Sequence, residues 1–383
     1  MKILYIAFKD FSKLHFGASK KVISECRAFE HYGHEVILIG REVDATVLID
    51  TDGVTRKLAE HKQYPIGKLE LLLDKQHQIS DILNYISDKN YDYCYIRYDL
   101  CNRSFIKLLK GIKKVCSRID IEIPTYPYDK EYAGKINKIR LSIDRHYGKQ
   151  LHRYVSQIIS FYDIPGNRFC GIPVLRVTNG FDFGGIKIVE DNVVPDDIHI
   201  AAVSSMRIWH GYERMIEGMH NYYTAGGTRN LVLHLVGDGR EGAKYRDLVQ
   251  KYKLNSHVVF HGAMHGENLE RLLEKCTLGI DSLGRHRTGI SILSSLKSRE
   301  YGAKGIPFIN SCDIDIVGDD FKYFLKVPAD DSPIDINSII DFYDGCYAEG
   351  SRITVAKQVR KYIEARSGMD SVAKKILDSI IYG

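Results

Sequence analysis

Short apolar segments alternate with amphipathic helical stretches from one end of this chain to the other, and that alternation restricts the fold more than any other feature. In the first half KILYIAF, EVILIG, DYCYIRY, IDIEIP, QIISFY and VLRVTNG have the length and the β-branched or aromatic content of strands. Residues 19–32, 67–88, 104–117 and 135–154 between them read as helices. The second half repeats the pattern with IHIAAVSS, NLVLHLVGDG, HVVFHG, TLGIDSL, IPFINS and YFLKVP. Its helices are expected over residues 213–223, 243–252, 267–275 and 294–303. Strands spaced by helices cannot close tight hairpins, so the pattern predicts an α/β chain with parallel sheets and right-handed crossovers.

At 383 residues the chain exceeds one ordinary domain. The pattern is interrupted near 183–197 by Gly184, Gly185 and the polar run VEDNVVPDD, which predicts a first domain over 1–185 and a second over 186–352. Two Rossmann-like domains so joined would face each other across a cleft at the carboxyl ends of their strands, where open α/β sheets bind ligands. No stretch of about 18 apolar residues suggests a membrane span, and the amino terminus reads as a buried strand rather than a signal peptide. The eight cysteines form no C-x-x-C pair, which points to a reduced, cytoplasmic protein.

Charge is distributed unevenly. Residues 101–150 hold twelve Lys or Arg against five Asp or Glu, while residues 301–350 hold three against ten. The basic block over 103–149 suits a solvated helical face, or attraction to an anionic membrane surface or a lipid-diphosphate acceptor. It lacks the stacking platforms of single-strand binders, so nucleic acid is not expected.

The segment SLKSREYGAKGIPFI, residues 295–309, reads as a helix that carries Glu300 and ends on a short strand. Before it lies DSLGRHRTG, rich in glycine and arginine. A cationic loop feeding a helix N-terminus is a natural anion site, because free N–H groups and the positive dipole end converge there. A carboxylate inside that helix can take hydroxyl hydrogens of a sugar. The combination predicts a pocket for a nucleotide-sugar. Arg207, Arg285, Arg287 and Lys297 are the cations available for its diphosphate. The D-x-D matches at Asp50–Asp52 and Asp313–Asp315 lie away from that site, and no His/Cys spacing suits a metal, so none is expected.

On these residues the sequence resembles the retaining glycosyltransferases of family four, which have the GT-B fold. The opening MKILYIAFKDFSKLHFGASKK, the run GIPVLRVTNGFD, and AAVSSMRIWHGYERMIEG, LHLVGDG and VVFHGAMHG match the family's successive units in order and spacing. The resemblance implies that Glu300 binds the nucleotide ribose and that Lys297 and Arg207 neutralise the diphosphate. It implies that Gly17 after the first strand lets backbone approach the donor or the acceptor. It also implies that Gly237, Gly239, Ala263 and Met264 border the base, and that residues 353–383 form a helix crossing back to the first domain. Two departures stand out. His210 replaces an expected Lys, and Ile292 stands where the motif's first glutamate belongs, so sugar contacts are expected from backbone N–H groups of Gly289, Ile290, Ser291, Ile292 and Leu293, with Arg287 assisting on phosphate.

In the first half EIPTYPYDKEY follows a strand. Its Tyr126 and Tyr128 rings suit stacking on an acceptor sugar, while Glu122, Asp129 and Glu131 suit its hydroxyls. Arg97 suits an acidic group or a structural ion pair. Together these readings predict a metal-independent, retaining hexosyltransferase that takes a nucleoside-diphosphate sugar, serves a glycan or lipid-linked acceptor in surface polysaccharide synthesis, and is peripheral to the inner membrane face. A sugar-nucleotide 2-epimerase, a glycosidase and a non-catalytic partner subunit are the rival readings.

Overall fold

The computed structural model describes residues 1–12, 17–61, 70–129, 132, 135–348 and 350–381. Residues 67–69 of an expected helix and the candidate Glu131 lie outside them. The chain divides into two compact units, Met1–Asp182 with Gly368–Gly383, and Phe183–Ser367.

The first unit is built on nine strands: β1 (Lys2–Asp10), β2 (Glu35–Arg41), β3 (Ala45–Ile49), β4 (Thr55–Glu60), β5 (Tyr91–Arg97), β6 (Cys116–Ile123), β7 (Gln157–Ser160), β8 (Arg168–Phe169) and β9 (Ile172–Arg176). Their order is β4-β3-β2-β1-β5-β6-β7-β9-β8. From β2 to β9 neighbouring strands are parallel, as the alternation predicts. Central β1 buries both faces, which is why it reads as a continuous apolar run. The helices are α1 (Gly17–His31), α2 (Glu70–Ile86), α3 (Arg103–Ile112) and α4 (Lys135–Gly148).

The antiparallel pairs escape the sequence reading: β2 with β3 and β8 with β9, and β3 with β4 at the sheet edge. The turn of the last pair is Asp50 to Val54, where the Asp50 carboxylate accepts the N–H groups of Asp52 at 3.0 Å and Val54 at 2.8 Å, and Gly53 adopts φ +85°. The first D-x-D match is therefore a turn.

The second unit has six parallel strands: β10 (Ile198–Val203), β11 (Leu231–Val236), β12 (Val258–Gly262), β13 (Leu278–Ile280), β15 (Phe308–Asn310) and β17 (Phe324–Lys326), in the order β12-β11-β10-β13-β15-β17. A small separate pair joins β14 (Ile292–Leu293) to β16 (Asp313–Ile314). The helices are α5 (Tyr212–Thr224), α6 (Gly242–Lys251), α7 (Gly266–Lys275), α8 (Leu296–Lys304), α9 (Ile336–Tyr347) and α10 (Arg352–Ser367). The expected crossing segment 353–383 is not one helix. α10 stays in the second unit, where Gly302 and Gly305 admit it so closely that a Cβ on either would lie 2.7 Å from Ile363 or 2.5 Å from Ala356. After Gly368, α11 (Met369–Ile381) packs Met369, Val372, Ala373, Ile376 and Leu377 into the core beside Val22, Cys26 and Phe29 of α1. No helix among the described residues is long and apolar enough to cross a membrane.

Candidate functional site

Each sheet reverses its strand order once, between β1 and β5 in the first unit and between β10 and β13 in the second. Such a switch point opens a crevice at the carboxyl ends of its strands, because the loops on either side depart in opposite directions. In the second unit the two loops are laced together. The N–H groups of Leu283 and Gly284 donate to the carbonyls of His210 at 2.8 Å and Trp209 at 3.1 Å. Gly211 is required there, since it has φ +63° and a Cβ would lie 2.8 Å from the Gly284 nitrogen. Gly237 and Gly239 close the same edge. A Cβ on either would lie 1.9 Å from the Ser204 carbonyl oxygen or 2.0 Å from that of Ser205, so close backbone packing accounts for these glycines. The Gly237 N–H donates to Gly262 at 2.6 Å, which brings exposed Ala263 and half-buried Met264 to this edge.

α8 is fixed over the switch point by Tyr301. Its hydroxyl lies 3.2 Å from the carbonyl oxygens of both Ala201 and Ile280 and accepts the Val203 N–H at 3.2 Å. Gly279 leaves room for the ring, which a Cβ would meet at 2.6 Å. At the helix start the Ser295 hydroxyl accepts the Lys297 N–H at 3.1 Å. Lys297 is thus carried one turn before Tyr301, and half-exposed Glu300 lies three residues beyond it on the same strip.

The electrostatics of this edge are uneven. Asp281, fully buried at the end of β13, faces Lys297 Nζ at 3.1 Å and accepts the Ser298 hydroxyl. Burial alone would push its carboxyl up, but Lys297 and the hydroxyls of Ser295 and Ser298 outweigh that and hold it below the usual range. His210 is only 4% exposed. Burial, then the charges of Lys297, Arg285 and Arg207, push its imidazole well below the ordinary value. Its Nδ1 accepts the Arg207 N–H at 2.8 Å, so the ring is neutral with its proton on Nε2. The Arg285 guanidinium stands over the Trp209 ring at 5.4 Å. The Arg207 guanidinium is half-buried, and no hydrogen bond or ion pair to it is found among the described residues. Three cations therefore surround one neutral imidazole at a helix N-terminus.

Several expected site residues do other work. Arg287 is held by Glu213 and Asp331, each at 2.7 Å, and by the Ile208 carbonyl at 2.8 Å, so its guanidinium is already saturated and braces the loop after β10. The N–H groups of Gly289 and Ile290 donate to the carbonyls of His286 at 3.0 Å and Arg285 at 3.3 Å and are not open to a sugar. Ile290 and Leu293 are buried, while Ser291 and Ile292 face outward. The second D-x-D match is also occupied. Asp313 binds Lys326 at 2.6 Å, and Asp315 takes the fully buried Arg299 at 2.8 and 3.0 Å.

In the first unit Gly17 opens α1. Arg97 and Glu122 pair with each other inside the protein at 7% and 0% exposure, which is the structural ion pair left open for Arg97 and not the acceptor contact expected of Glu122. Glu122 also faces Lys21 at 3.4 Å and accepts the Tyr95 hydroxyl at 2.7 Å; Lys21 pairs with Glu25, which accepts the Tyr5 hydroxyl at 2.7 Å. The placement of Glu122 on an interior face of β6, beneath α1, is the reason. Tyr128 donates to the buried Asp144 at 2.8 Å within a cluster of Tyr98 and Phe169. Tyr126 is half-exposed, edge-on to Phe169, and no partner of its hydroxyl is found among the described residues.

The sequence reading gave no role to Asp281 or to Trp209. Both were visible, as the acid closing the strand TLGI and as the sole tryptophan beside His210. Ser295 could also have been read as an N-cap from the run SLKSRE.

No family model matches this chain, and no curated protein matches it. Solved structures do. Anabaena Alr3699/HepE in complex with UDP aligns over 100% of both chains at 14% identity and a TM-score of 0.60. A glycosyltransferase from Rickettsia africae aligns over 100% of this chain and 99% of its own at 12% and 0.62. Sucrose-phosphate synthase from Thermosynechococcus elongatus aligns over 99% and 98% at 16% and 0.67. At these identities the likeness establishes the architecture alone: this chain has the α/β GT-B fold found in glycosyltransferases.

Proposed function

We propose that the chain is a glycosyltransferase that binds a nucleoside-diphosphate sugar at the carboxyl edge of the second unit's sheet. The observation that carries this is the convergence of Arg207, Arg285 and Lys297 on a buried, neutral His210 beside the N-terminus of α8. Positive charge gathered at a helix N-terminus suits an anion, and a diphosphate supplies one of matching size. In the reaction the bond between the sugar's anomeric carbon and the diphosphate breaks, a hydroxyl of a glycan or lipid-linked acceptor bonds to that carbon, and the acceptor proton passes to the departing diphosphate. Negative charge grows on the departing diphosphate, and preorganised cations lower the barrier by meeting it. Glu300 accepts ribose hydroxyls, and Ala263 and Met264 border the base.

The same reading assigns retention of anomeric configuration, a role in surface polysaccharide synthesis and a cytoplasmic setting, in keeping with the family-four resemblance. It assigns the diphosphate to side-chain cations rather than a metal, which the structural use of both D-x-D pairs supports. The test is thermal shift with UDP, GDP, ADP and their sugars, followed by nucleotide release with and without added glycan. Glu300→Gln is expected to lower transfer roughly tenfold or more with an unchanged melting temperature. Wild-type turnover in that variant removes Glu300 from the site, and isomerised sugar from donor alone replaces transfer with epimerisation.

A further inference from the structure

Ten large apolar side chains are exposed among the described residues, and three of them, Ile136, Ile139 and Ile143, sit on the single fourteen-residue helix α4 at 49%, 60% and 39% exposure. Their spacing of three and four places them in one stripe along the helix. The stripe is not an accident of a loosely held element. The opposite face of α4 is fixed by buried Leu141 and by Asp144, whose carboxylate takes the Tyr98 hydroxyl, the Tyr128 hydroxyl at 2.8 Å and the Cys101 N–H. That anchoring sets the rotation of the helix about its axis.

Exposed His146 stands beside the stripe and exposed Lys149, Lys138 and Arg145 follow further round the helix, with Arg140 half-buried on its other flank. Arg145 is paired with exposed Asp129. Within residues 135–149 the only carboxylate is Asp144, which faces inward. An outward face of this kind combines apolar side chains with the positive charge of Lys138 and Lys149. A helix of this length spans about 21 Å, enough to lie flat in a headgroup layer. A second copy of the chain would bring like charges together along the same stripe, so self-association is disfavoured.

We infer that α4 docks the first unit on an anionic lipid bilayer, with Ile136, Ile139 and Ile143 entering the acyl boundary and Lys138 and Lys149 meeting acidic headgroups. Helices that lie in the interface bind through this pairing of buried apolar area with basic residues. The surface is independent of the donor site, and its test does not use turnover.

The full chain is floated with vesicles of phosphatidylcholine alone and with vesicles that also contain phosphatidylglycerol. The wild type is expected to travel with the acidic vesicles only and to be released by added salt. Changing Ile136, Ile139 and Ile143 together to Ser is expected to lower partitioning by about tenfold or more, and Lys138→Glu with Lys149→Glu to do likewise. Both variants should keep the wild-type melting temperature and nucleotide-sugar thermal shift, which separates a failure here from a failure of the proposed function. Unchanged partitioning of the triple variant overturns the inference. So does equal binding to neutral vesicles, or a lipid-free dimer that the serine changes convert to monomer.

Discussion

The two switch points of this molecule treat charge in opposite ways. Beside the switch point between β1 and β5 in the first unit, Lys21 and Arg97 face Glu25 and Glu122, and the four charges cancel inside the protein. At the edge beside β10 and β13 in the second, Arg207, Arg285 and Lys297 gather around the neutral His210, and Lys297 pairs with the buried Asp281. The topology is shared, but the proposed donor site draws on the cations of the second edge alone. A balanced buried cluster holds a structure in register, whereas an unbalanced one binds. The contrast has direct consequences for mutation.

The largest expected effect is on the balanced side. Glu122→Ala leaves Lys21 and Arg97 buried with Glu25 alone, and removal of one member of a buried ion pair costs about 3–5 kcal/mol. Denaturant unfolding should show that loss directly. If the variant instead keeps its stability and loses only acceptor affinity, Glu122 belongs to a binding surface and the contrast fails. On the unbalanced side Arg207→Ala should leave stability within about 0.5 kcal/mol and lower kcat/KM by on the order of 100-fold, as loss of one preorganised charge-stabilising group does. Arg287→Ala should do the reverse, because it leaves the buried Glu213 with Lys244 as its one remaining ion-pair partner among the described residues and loosens the loop after β10. Equal kinetic losses in both variants would erase the distinction between a bracing and a binding arginine.

Protonation gives a third, smaller measure. Beyond His210, the second sheet carries three hydrogen-bonded imidazoles, with His199 Nδ1 at 2.9 Å from His234 Nε2 and His234 Nδ1 at 3.0 Å from His261 Nε2. Burial lowers all three, and together with its two neighbours pushes His234 down to about 4. The unfolded chain binds a proton on such a group near pH 6.5 and the folded one does not. Stability is therefore fully present above about pH 6.5 and falls as pH drops toward 4, by at most roughly 3 kcal/mol from His234. Unfolding midpoints measured across that window should fall, and His234→Gln should flatten the slope. A flat wild-type profile would show that the chain accommodates a proton at no cost.

How far the sequence discloses all this depends on the range of the interaction involved. Parallel strands, crossovers and the position of α8 follow from local periodicity, and the places of Lys297 and Glu300 on that helix were legible because a helix start is a local event. The hairpin of β3 and β4 was also local, signalled by Asp50 and Gly53, and was overlooked rather than hidden. Arg285 and Arg287 are a different matter. They lie two residues apart in one loop, yet one stacks on Trp209 while the other is claimed by Glu213 and Asp331. Nothing within a short window separates them, since the deciding partners lie far along the chain. Glu122 was read as an acceptor contact for the same reason, and of the two readings open for Arg97 the ion pair is the one found, since partners distant in the sequence, Lys21 with Glu122 and Glu122 with Arg97, decide both.

The smallest predicted effect bears on the one aromatic whose role the sequence left most open. Tyr128 shares Asp144 with the Tyr98 hydroxyl and the Cys101 N–H, so Tyr128→Phe removes one of three hydrogen bonds to a buried carboxylate without opening a cavity. The expected loss is about 1 kcal/mol, read from denaturant unfolding, with acceptor KM unchanged. Tyr126→Ala should show the complement, since its half-exposed ring contributes less to packing and more to any sugar laid against it. If Tyr128→Phe keeps full stability while raising acceptor KM, the aromatic loop of the first unit binds as a whole, and that edge would no longer be purely structural.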